Sequence, residues 1–235
     1  ALEAMPGKAI TFRTMDIGGD KPVEALGLEQ EQNAFLGYRA IRICLDRPEL
    51  FLTQLRALLR ASAFGKVQIM FPMIATLEEL RRAKKYVAQA KEQLAQKGQA
   101  FDPNAPVGMM VEVPAAAVLA RQFAREADFF SIGSNDLTQY TMAADRMNPK
   151  VEHLSNPMDP AVLTLIAQTI QAAKQAGIPC SVCGELAGMV EAVPVLLGLG
   201  LEKFSVSPGK LLAVRRAIAG CSEEEAQRAA RRALS

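Results

Sequence analysis

Residues 129–137 read Phe129-Phe130-Ser131-Ile132-Gly133-Ser134-Asn135-Asp136-Leu137, a short apolar strand followed by a glycine turn and the polar start of a helix. A strand followed by a helix is the repeating unit of parallel α/β folds, which carry their functional groups at the carboxyl ends of the strands. Asn135 and Asp136 are predicted to lie just past such an end, where the backbone N–H groups of Gly133 and Ser134 can bind an anion. The stretch therefore predicts a fold class and a site together.

The same alternation recurs along the chain. Short apolar runs predict seven strands, at 9–13, 36–39, 67–71, 107–111, 129–132, 179–182 and 203–206. Segments with apolar residues three and four positions apart predict helices at 48–63, 76–96, 114–125, 160–176, 190–199, 210–219 and 223–234. Because a complete barrel needs eight repeats and about 250 residues, this pattern predicts an α/β fold, a TIM (βα)8-type barrel that lacks its first βα repeat.

An open, doubly wound sheet is the competing fold. The polar residues that follow different predicted strands are Arg13, Arg39, Glu112, Asn135, Asp136 and Cys183. An open sheet with strands about 4.8 Å apart would spread them over roughly 30 Å, whereas a barrel gathers them on one rim. A shared site therefore favours the barrel. We expect a single domain over residues 1–235, with the irregular stretches 16–34 and 145–159 as loops on its active side.

Composition excludes several classes of protein. The chain is 50% hydrophobic and 22% charged, and its formal net charge of +2 gives no electrostatic case for binding nucleic acid or a membrane surface. No apolar run reaches the roughly 18 residues needed to span a bilayer, and the first residues lack the order of a signal peptide. We therefore expect a cytoplasmic protein that neither binds nucleic acid nor inserts into a membrane.

Two acids follow consecutive predicted strands. Glu112 comes after the apolar run 107–111, and Asp136 comes after 129–132. Mg2+ typically takes one or two protein carboxylates and completes its coordination with water and substrate oxygens. Either acid alone could simply cap the helix that follows it. As a pair, Glu112 and Asp136 predict a Mg2+ site.

Three arginines indicate an anionic substrate. Arg13 and Arg39 end predicted strands, and Arg146 lies in the loop after Asp136. Guanidinium groups bind phosphate and carboxylate with two parallel, charge-assisted hydrogen bonds. A surface ion pair is the common role of a single arginine. The placement of two of them at strand ends favours a small ligand with several negative charges.

The cysteines and the one histidine leave more room for interpretation. Cys183 ends a predicted strand before Gly184, and it could be a small buried hydrophobe or a thiol that gives a proton to a carbon atom. Cys180 and Cys183 form a single CxxC pattern, but its position inside a predicted strand argues against a redox motif. His153 lies in a predicted loop, where we expect a packed or solvated side chain.

Six motifs of the chain resemble the C-terminal phosphoenolpyruvate-binding domain of enzyme I of the bacterial phosphotransferase system. Enzymes of this family are the phosphoenolpyruvate-protein phosphotransferases. The motifs lie at 14–21, 35–42, 71–73, 110–116, 131–140 and 183–188, and the similarity extends in order over nearly the whole chain. Pyruvate phosphate dikinase and phosphoenolpyruvate synthase share the Asn-Asp and Cys-Gly-Glu cores. The run Asp16-Ile17-Gly18-Gly19-Asp20-Lys21 is similar to enzyme I.

The resemblance implies roles for the candidate residues. Glu112 and Asp136 would bind the Mg2+ that bridges the phosphate and the carboxylate of phosphoenolpyruvate. Cys183 would protonate the methylene carbon of the enolate, which gives pyruvate. The residues that would hold the phosphoryl group or orient the substrate are Arg13, Arg39, Gly133, Ser134, Asn135, Asp136 and Arg146.

The resemblance also implies a reaction. The parent enzyme would be a homodimer that moves the phosphoryl group of phosphoenolpyruvate to a histidine and then to the histidine-containing phosphocarrier protein. That histidine lies in a Thr-Ser-His context in an N-terminal domain of the family, and no such context occurs here; nor does the family's Arg-Thr-Glu motif precede Ala9. We therefore expect a fragment that binds phosphoenolpyruvate without full turnover. The alternatives are a Mg2+-dependent pyruvate-type aldolase or lyase barrel and a non-catalytic, ligand-sensing dimerisation module.

Overall fold

The computed structural model describes residues 1–18, 27 and 31–235. Most of the predicted loop 16–34, including residues 19–21 of the first motif, lies outside the described residues. The chain divides into two compact units, Ala1–Met109 and Met110–Ser235, which are described in turn. Within the described ranges, no helix is both long and apolar enough to cross a membrane.

The first unit is built on parallel strands. Strand β1 (Ile10–Arg13) pairs with β2 (Val67–Phe71), which pairs with β3 (Val107–Val111), the strand that runs on into the second unit. Helices α1 (Ile41–Asp46) and α2 (Pro48–Ala61) connect β1 to β2, and α3 (Leu77–Gln96) connects β2 to β3. Short 3-10 turns occupy Ala34–Leu36 and Ser62–Phe64.

Amphipathic helices cover this unit's strands. Helix α2 buries Phe51, whose ring meets that of Phe71 on β2 edge to face, with 5.8 Å between the ring centroids. Helix α3 begins with a capping box: Thr76 accepts a hydrogen bond from the Glu79 N–H, and Glu79 accepts one from the Thr76 N–H. Local sequence signals therefore set both the start of α3 and the buried face of α2.

The second unit repeats the strand-and-helix pattern. Strand β4 (Phe130–Gly133) pairs with β5 (Cys180–Cys183), and β5 pairs with β6 (Lys203–Phe204), all in parallel. Its helices are α4 (Pro114–Val118), α5 (Ala120–Phe123), α6 (Ser134–Met142), α7 (Pro160–Ala176), α8 (Val193–Gly198), α9 (Leu211–Gly220) and α10 (Glu223–Ala233). Its 3-10 turns lie at Glu152–Leu154, Leu186–Gly188, Val190–Ala192 and Pro208–Lys210.

Most predicted elements are confirmed, and one is wrong. The structure reproduces the strands at 67–71 and 107–111 and the helix at 160–176 with the predicted bounds. The predicted strand at 36–39 is instead the last residue of the 3-10 turn Ala34–Leu36 and an irregular stretch that leads to α1 at Ile41. The Arg42 guanidinium donates to the carbonyls of Leu36 and Gly37, at 2.8 and 2.7 Å, so a local turn uses the groups that a sheet would need. Arg39 consequently precedes a helix and does not end a strand.

The α/β class is confirmed in its general form. Seven strands were expected, and six are present in the described part of the chain, each parallel to the neighbour with which it is paired within its unit. The predicted helix at 114–125 is interrupted at Leu119, which separates α4 from α5. The absence of a first βα repeat stays a prediction.

Candidate active site

The first unit brings two predicted arginines together on one carboxylate. Arg13 Nη1 lies 2.8 Å from Asp16 Oδ2, and Arg39 Nη2 lies 3.0 Å from Asp16 Oδ1. The side chains of Asp16 and Arg39 are only 4% and 3% exposed, whereas that of Arg13 is 40% exposed. The guanidinium of Arg39 also lies over the ring of Phe35, 5.8 Å from its centroid. A buried anion thus holds two cations, one of which reaches solvent.

The backbone around this cluster requires glycine at one position. Gly18 has φ +89°, and a Cβ there would lie 2.8 Å from both the Cβ of Arg39 and the carbonyl oxygen of Tyr38. The neighbouring Ile17 carbonyl accepts a hydrogen bond of 2.9 Å from the Ala40 N–H. The loop after β1 therefore packs directly on the backbone beside Arg39, which fixes Asp16 near that arginine.

The second unit contains the two predicted metal ligands. Glu112, which directly follows β3, is 2% exposed, and Asp136, in the first turn of α6, is 6% exposed. Gly133 ends β4 with no side chain, and a Cβ there would lie 2.7 Å from Glu112 Oε2 and 2.9 Å from Met110 Sδ. The glycine therefore leaves the space in which the Glu112 carboxylate lies.

Asp136 is not a helix cap. The residue before α6 is Gly133, and the first turn of the helix has no side-chain cap. Asp136 Oδ1 instead lies 2.5 Å from Nη1 of Arg146, and the Arg146 N–H donates to Gln139 Oε1 at 3.1 Å. The loop after α6 thus returns Arg146 to the Asp136 carboxylate.

Asn135 and Ser134 hold the turn that follows β5. Asn135 Oδ1 accepts a 2.9 Å hydrogen bond from the Glu185 N–H, and Ser134 Oγ donates to the Cys183 carbonyl at 2.8 Å. Gly184 has φ +83°, and a Cβ there would meet Ser134 Oγ and lie 2.7 Å from Asn135 Oδ1. The same turn forms one wall of an open cleft of about 540 Å3 that Lys210 also lines.

Cys183 lies at the carboxyl end of β5 and is half-buried. Its thiol donates to the carbonyl of Ile132 at 3.4 Å and accepts a hydrogen bond from the Ser131 hydroxyl at 3.6 Å. Polar contacts of this kind argue against a purely apolar role for the sulfur. The choice between the two roles that the sequence left open stays a prediction.

The other cysteines are poor candidates for chemistry. Cys180 and Cys183 are three residues apart on one strand, so their side chains point to opposite faces and cannot form a disulfide without unravelling β5. Burial raises the pKa of the Cys180 thiol to about 12. Burial, with a smaller effect from the charge of Asp16, raises the pKa of Cys44 to about 12 as well. Neither thiol is a reactive thiolate near neutral pH.

The donor set fits a hard divalent cation. Glu112 and Asp136 offer carboxylate oxygens, and the absence of a side chain at Gly133 leaves room for the Glu112 carboxylate. Within residues 1–18, 27 and 31–235, no group of three or more His, Cys, Asp or Glu side chains could hold a metal. A cation at these acids would therefore take its remaining ligands from water and substrate, which is the usual arrangement for Mg2+.

Comparison with known families decides the classification. The model of the PEP-utilising enzyme, PEP-binding domain, matches residues 1–222. The chain belongs to this family. The match includes the arginines of the first unit and both acids of the second, so the family covers the candidate residues derived from the sequence.

The most similar relatives include long bacterial enzymes. The phosphoenolpyruvate-protein phosphotransferase of Bacillus subtilis (strain 168) is 55% identical over 226 residues, which is 96% of this chain and 40% of that protein. The protein of the same name from Geobacillus stearothermophilus is 54% identical over 234 residues, or 100% of this chain and 40% of the relative. The chain therefore spans about 40% of the length of the curated relatives it matches.

Solved structures resemble this family member in fold. A citrate lyase from Burkholderia xenovorans LB400 aligns with a TM-score of 0.55 at 18% identity, over 77% of this chain and 57% of that one. The magnesium and glyoxylate complex of Haloferax volcanii malate synthase gives 0.54 at 16% identity, over 92% and 57%. These neighbours are TIM-like barrels, and at such low identity the likeness concerns the fold alone.

Two residues of the site were not anticipated from the sequence. Asp16 joins the two arginines, and Ser131 contacts the sulfur of Cys183. A weak signal existed for each: Asp16 is three residues after Arg13, and Ser131 is a polar residue inside an otherwise apolar strand. Neither signal predicts the contact partner, because Asp16 and Arg39 are 23 residues apart in the sequence, and Ser131 and Cys183 are 52 apart.

Proposed function

We propose that the chain binds phosphoenolpyruvate together with Mg2+, as the binding domain of an enzyme that passes the phosphoryl group to a histidine and then to the histidine-containing phosphocarrier protein. The observation that carries this proposal is the buried pair Glu112 and Asp136, in a chain of the phosphoenolpyruvate-binding family. The phosphorylated histidine would belong to another domain of the longer protein, and pyruvate would be the second product. A homodimer and a cytoplasmic location remain predictions.

The arginines of the first unit are proposed to hold the phosphoryl group. Arg13 reaches solvent while Asp16 fixes its guanidinium, so the fork is oriented before a ligand arrives. Arg39 is almost fully buried and would act from a fixed position on the developing charge of the transferred group. This role requires both units to act on one ligand as a single barrel domain, which also remains a prediction.

The residues of the second unit are proposed to orient the rest of the substrate. Glu112 and Asp136 would hold Mg2+, which would neutralise part of the negative charge of the substrate. Arg146 lies against Asp136, and its guanidinium would pair with the substrate carboxylate. The Asn135 carbonyl is used by the Glu185 N–H, so the remaining amide protons of Asn135, with the backbone N–H groups of Gly133 and Ser134, would contact substrate oxygens.

Cys183 is proposed to protonate the methylene carbon of the enolate that remains when the phosphoryl group has left. Its S–H bond breaks, the proton forms the new C–H bond of pyruvate, and the electron pair stays on sulfur as a thiolate. Glu112 lies opposite Gly133, the residue that pairs with Cys183 in the β4–β5 register, which supports placing both groups beside one ligand.

The alternative reactions have less support. The likeness to citrate lyase and malate synthase is one of fold at 18% and 16% identity, so it does not favour an aldolase or lyase reaction. A purely ligand-sensing module would not need a polar environment for the Cys183 sulfur. We therefore retain phosphoryl transfer as the proposed reaction of the parent enzyme.

The test is calorimetry of phosphoenolpyruvate binding with and without Mg2+, on the parent chain and on Glu112→Gln. The variant keeps the shape of a buried side chain but removes its charge, and we expect at least a tenfold loss of Mg2+-dependent affinity, about 1.4 kcal/mol. Glu202→Gln is the matched control, because Glu202 is exposed and precedes β6, at the opposite end of the strands from Gly133 and Cys183. Equal affinity of the parent and Glu112→Gln would refute the proposal.

A further inference from the structure

One face of the β4–β5 pair carries two serines, Ser131 and Ser181, that have no role in the proposed reaction. The register places Ser131 opposite Ser181 and Gly133 opposite Cys183. Since side chains alternate along a strand, these four residues share one face. The other face carries Phe130, Ile132 and Val182, which are 0–1% exposed. The polar face is therefore separate from the apolar core.

The Ser131 hydroxyl is directed at the sulfur of Cys183. The oxygen lies 3.6 Å from Sγ with the hydroxyl as donor, and Ser131 is only 6% exposed. The Cys183 main chain is held separately, because Ser134 Oγ donates to its carbonyl at 2.8 Å. Both the position of the thiol and a donor to its sulfur are thus supplied by β4 and the start of α6.

We propose that Ser131 is a positioning residue for Cys183, whose hydroxyl donates a hydrogen bond to the sulfur and stabilises the thiolate left after proton transfer. This inference rests on the proposed function. Ser131 keeps its own proton throughout: the proton that reaches carbon comes from the S–H bond, and the thiolate later regains one from water. A hydrogen bond to an ionised acceptor is roughly twice as strong as one between neutral groups, so the contact strengthens when the thiolate forms.

A structural role would be the simpler explanation, since any buried hydroxyl needs a partner. Ser181, on the same face, has such a structural partner, because its hydroxyl donates to the Phe130 carbonyl at 3.4 Å. The two serines occupy paired positions on neighbouring strands, but Ser131 donates to the sulfur whereas Ser181 donates to a backbone carbonyl. Ser181→Ala is therefore a matched control for Ser131→Ala.

The experiment measures alkylation of Cys183 by iodoacetamide at pH 7.5 in the full chain. Cys44 and Cys180 stay silent, because burial raises the pKa of each to about 12. Cys221 is half-buried and is replaced by serine in every variant, so that the reaction reports Cys183 alone. Loss of the donor should lower the thiolate fraction about tenfold. The remaining thiolate should be about threefold more nucleophilic, so we expect net alkylation about threefold slower.

The outcomes separate the possibilities. Slower alkylation in Ser131→Ala, the parent rate in Ser181→Ala and recovery in Ser131→Thr would support the inference. Equal rates in the two alanine variants, whether slowed or unchanged, would overturn it. Should Ser131→Ala fail to fold, Ser131→Thr and Ser131→Val give the same comparison, since they share a shape and differ in the hydroxyl.

A second measurement distinguishes this inference from the proposed function. Calorimetry with phosphoenolpyruvate and Mg2+ should give Ser131→Ala an affinity within about twofold of the parent, because the proposed partner of the hydroxyl is the Cys183 sulfur. If the parent chain fails to bind, the proposed function fails whatever the alkylation shows. If the parent binds and the alkylation contrast is absent, only the role of Ser131 is refuted.

Discussion

Replacing Gly133 by alanine tests the geometry on which the metal site depends. The added Cβ would lie 2.7 Å from Glu112 Oε2 and 2.9 Å from both Glu112 Cβ and Met110 Sδ. Carbon atoms pack best at about 3.5–4.0 Å, so Glu112 must move by more than half an ångström. The Met110 side chain can turn aside, but the Cβ of Glu112 is attached to the backbone. The carboxylate would therefore leave its place.

The magnitude follows from two opposing effects. Forcing a methyl group into a packed site costs about 1–3 kcal/mol. Gly133 has φ −87°, which alanine adopts without strain, so the substitution also gains about 0.4–1 kcal/mol from the stiffer unfolded chain. We expect the free energy of unfolding to fall by about 1–2 kcal/mol. We also expect at least a tenfold loss of Mg2+-dependent phosphoenolpyruvate affinity.

Urea denaturation and calorimetry on the same preparation measure both quantities. Gly220→Ala is the control, since Gly220 ends α9, has no positive φ and would place its Cβ more than 4 Å from any other side chain or distant backbone atom. We expect this control to keep the parent affinity and to lose no stability. The reasoning would be refuted if Gly133→Ala bound phosphoenolpyruvate and Mg2+ as tightly as the parent.

Three further predictions concern stability. Asp16→Ala removes the carboxylate that pairs with the buried Arg39 and should lower the free energy of unfolding in urea by about 3–5 kcal/mol. The control Glu224→Ala breaks the exposed pair with Arg228 and should lower it by under about 1 kcal/mol. Similar losses in the two variants would contradict this prediction. Gly184→Ala should destabilise by about 1–3 kcal/mol and change the alkylation rate of Cys183, because φ is +83° and the new Cβ meets Ser134 Oγ; an unchanged rate would mean that this turn does not position the thiol. The pKa values of Cys44 and Cys180 lie near 12 in the folded chain and near 9 in the unfolded chain, so the unfolded chain releases these protons first. The contribution of the two protonated thiols to the free energy of unfolding is therefore complete below pH 9 and is lost between about pH 9 and 12. Urea denaturation from pH 8 to 10.5 should therefore show a steeper decline for the parent than for Cys44→Ala/Cys180→Ala, and parallel declines would argue against the shifts.

The strands that sequence predicts well are those buried on both faces. Residues 67–71 and 107–111 are nearly continuous apolar runs, as expected for parallel strands covered on either side, and their bounds agree with the structure. The predicted strand at 36–39 is instead irregular, because the Arg42 side chain donates hydrogen bonds to the carbonyls of Leu36 and Gly37. A side-chain bond to the backbone leaves no periodic pattern, so the sequence could not reveal it.

The residue types of the site were predictable, and their contacts were not. Glu112, Asp136 and Cys183 could be selected because each follows an apolar run. The bridge from Asp16 to Arg39 and the contact from Ser131 to Cys183 join distant parts of the chain, and their geometry depends on the packing of whole elements. Gly133 shows the same limit. The sequence predicts a turn there, but only the folded structure reveals that Glu112 occupies the space that a side chain at position 133 would need.

The most direct measurement is a crystal soaked with phosphoenolpyruvate and Mn2+, whose anomalous scattering locates the ion. We expect one anomalous peak in contact with a carboxylate oxygen of both Glu112 and Asp136, near the 2.0–2.1 Å or so typical of Mg2+, with the phosphoryl group against Arg13 and Arg39. An ion held by only one of these acids, or a phosphoryl group bound away from both arginines, would contradict the account.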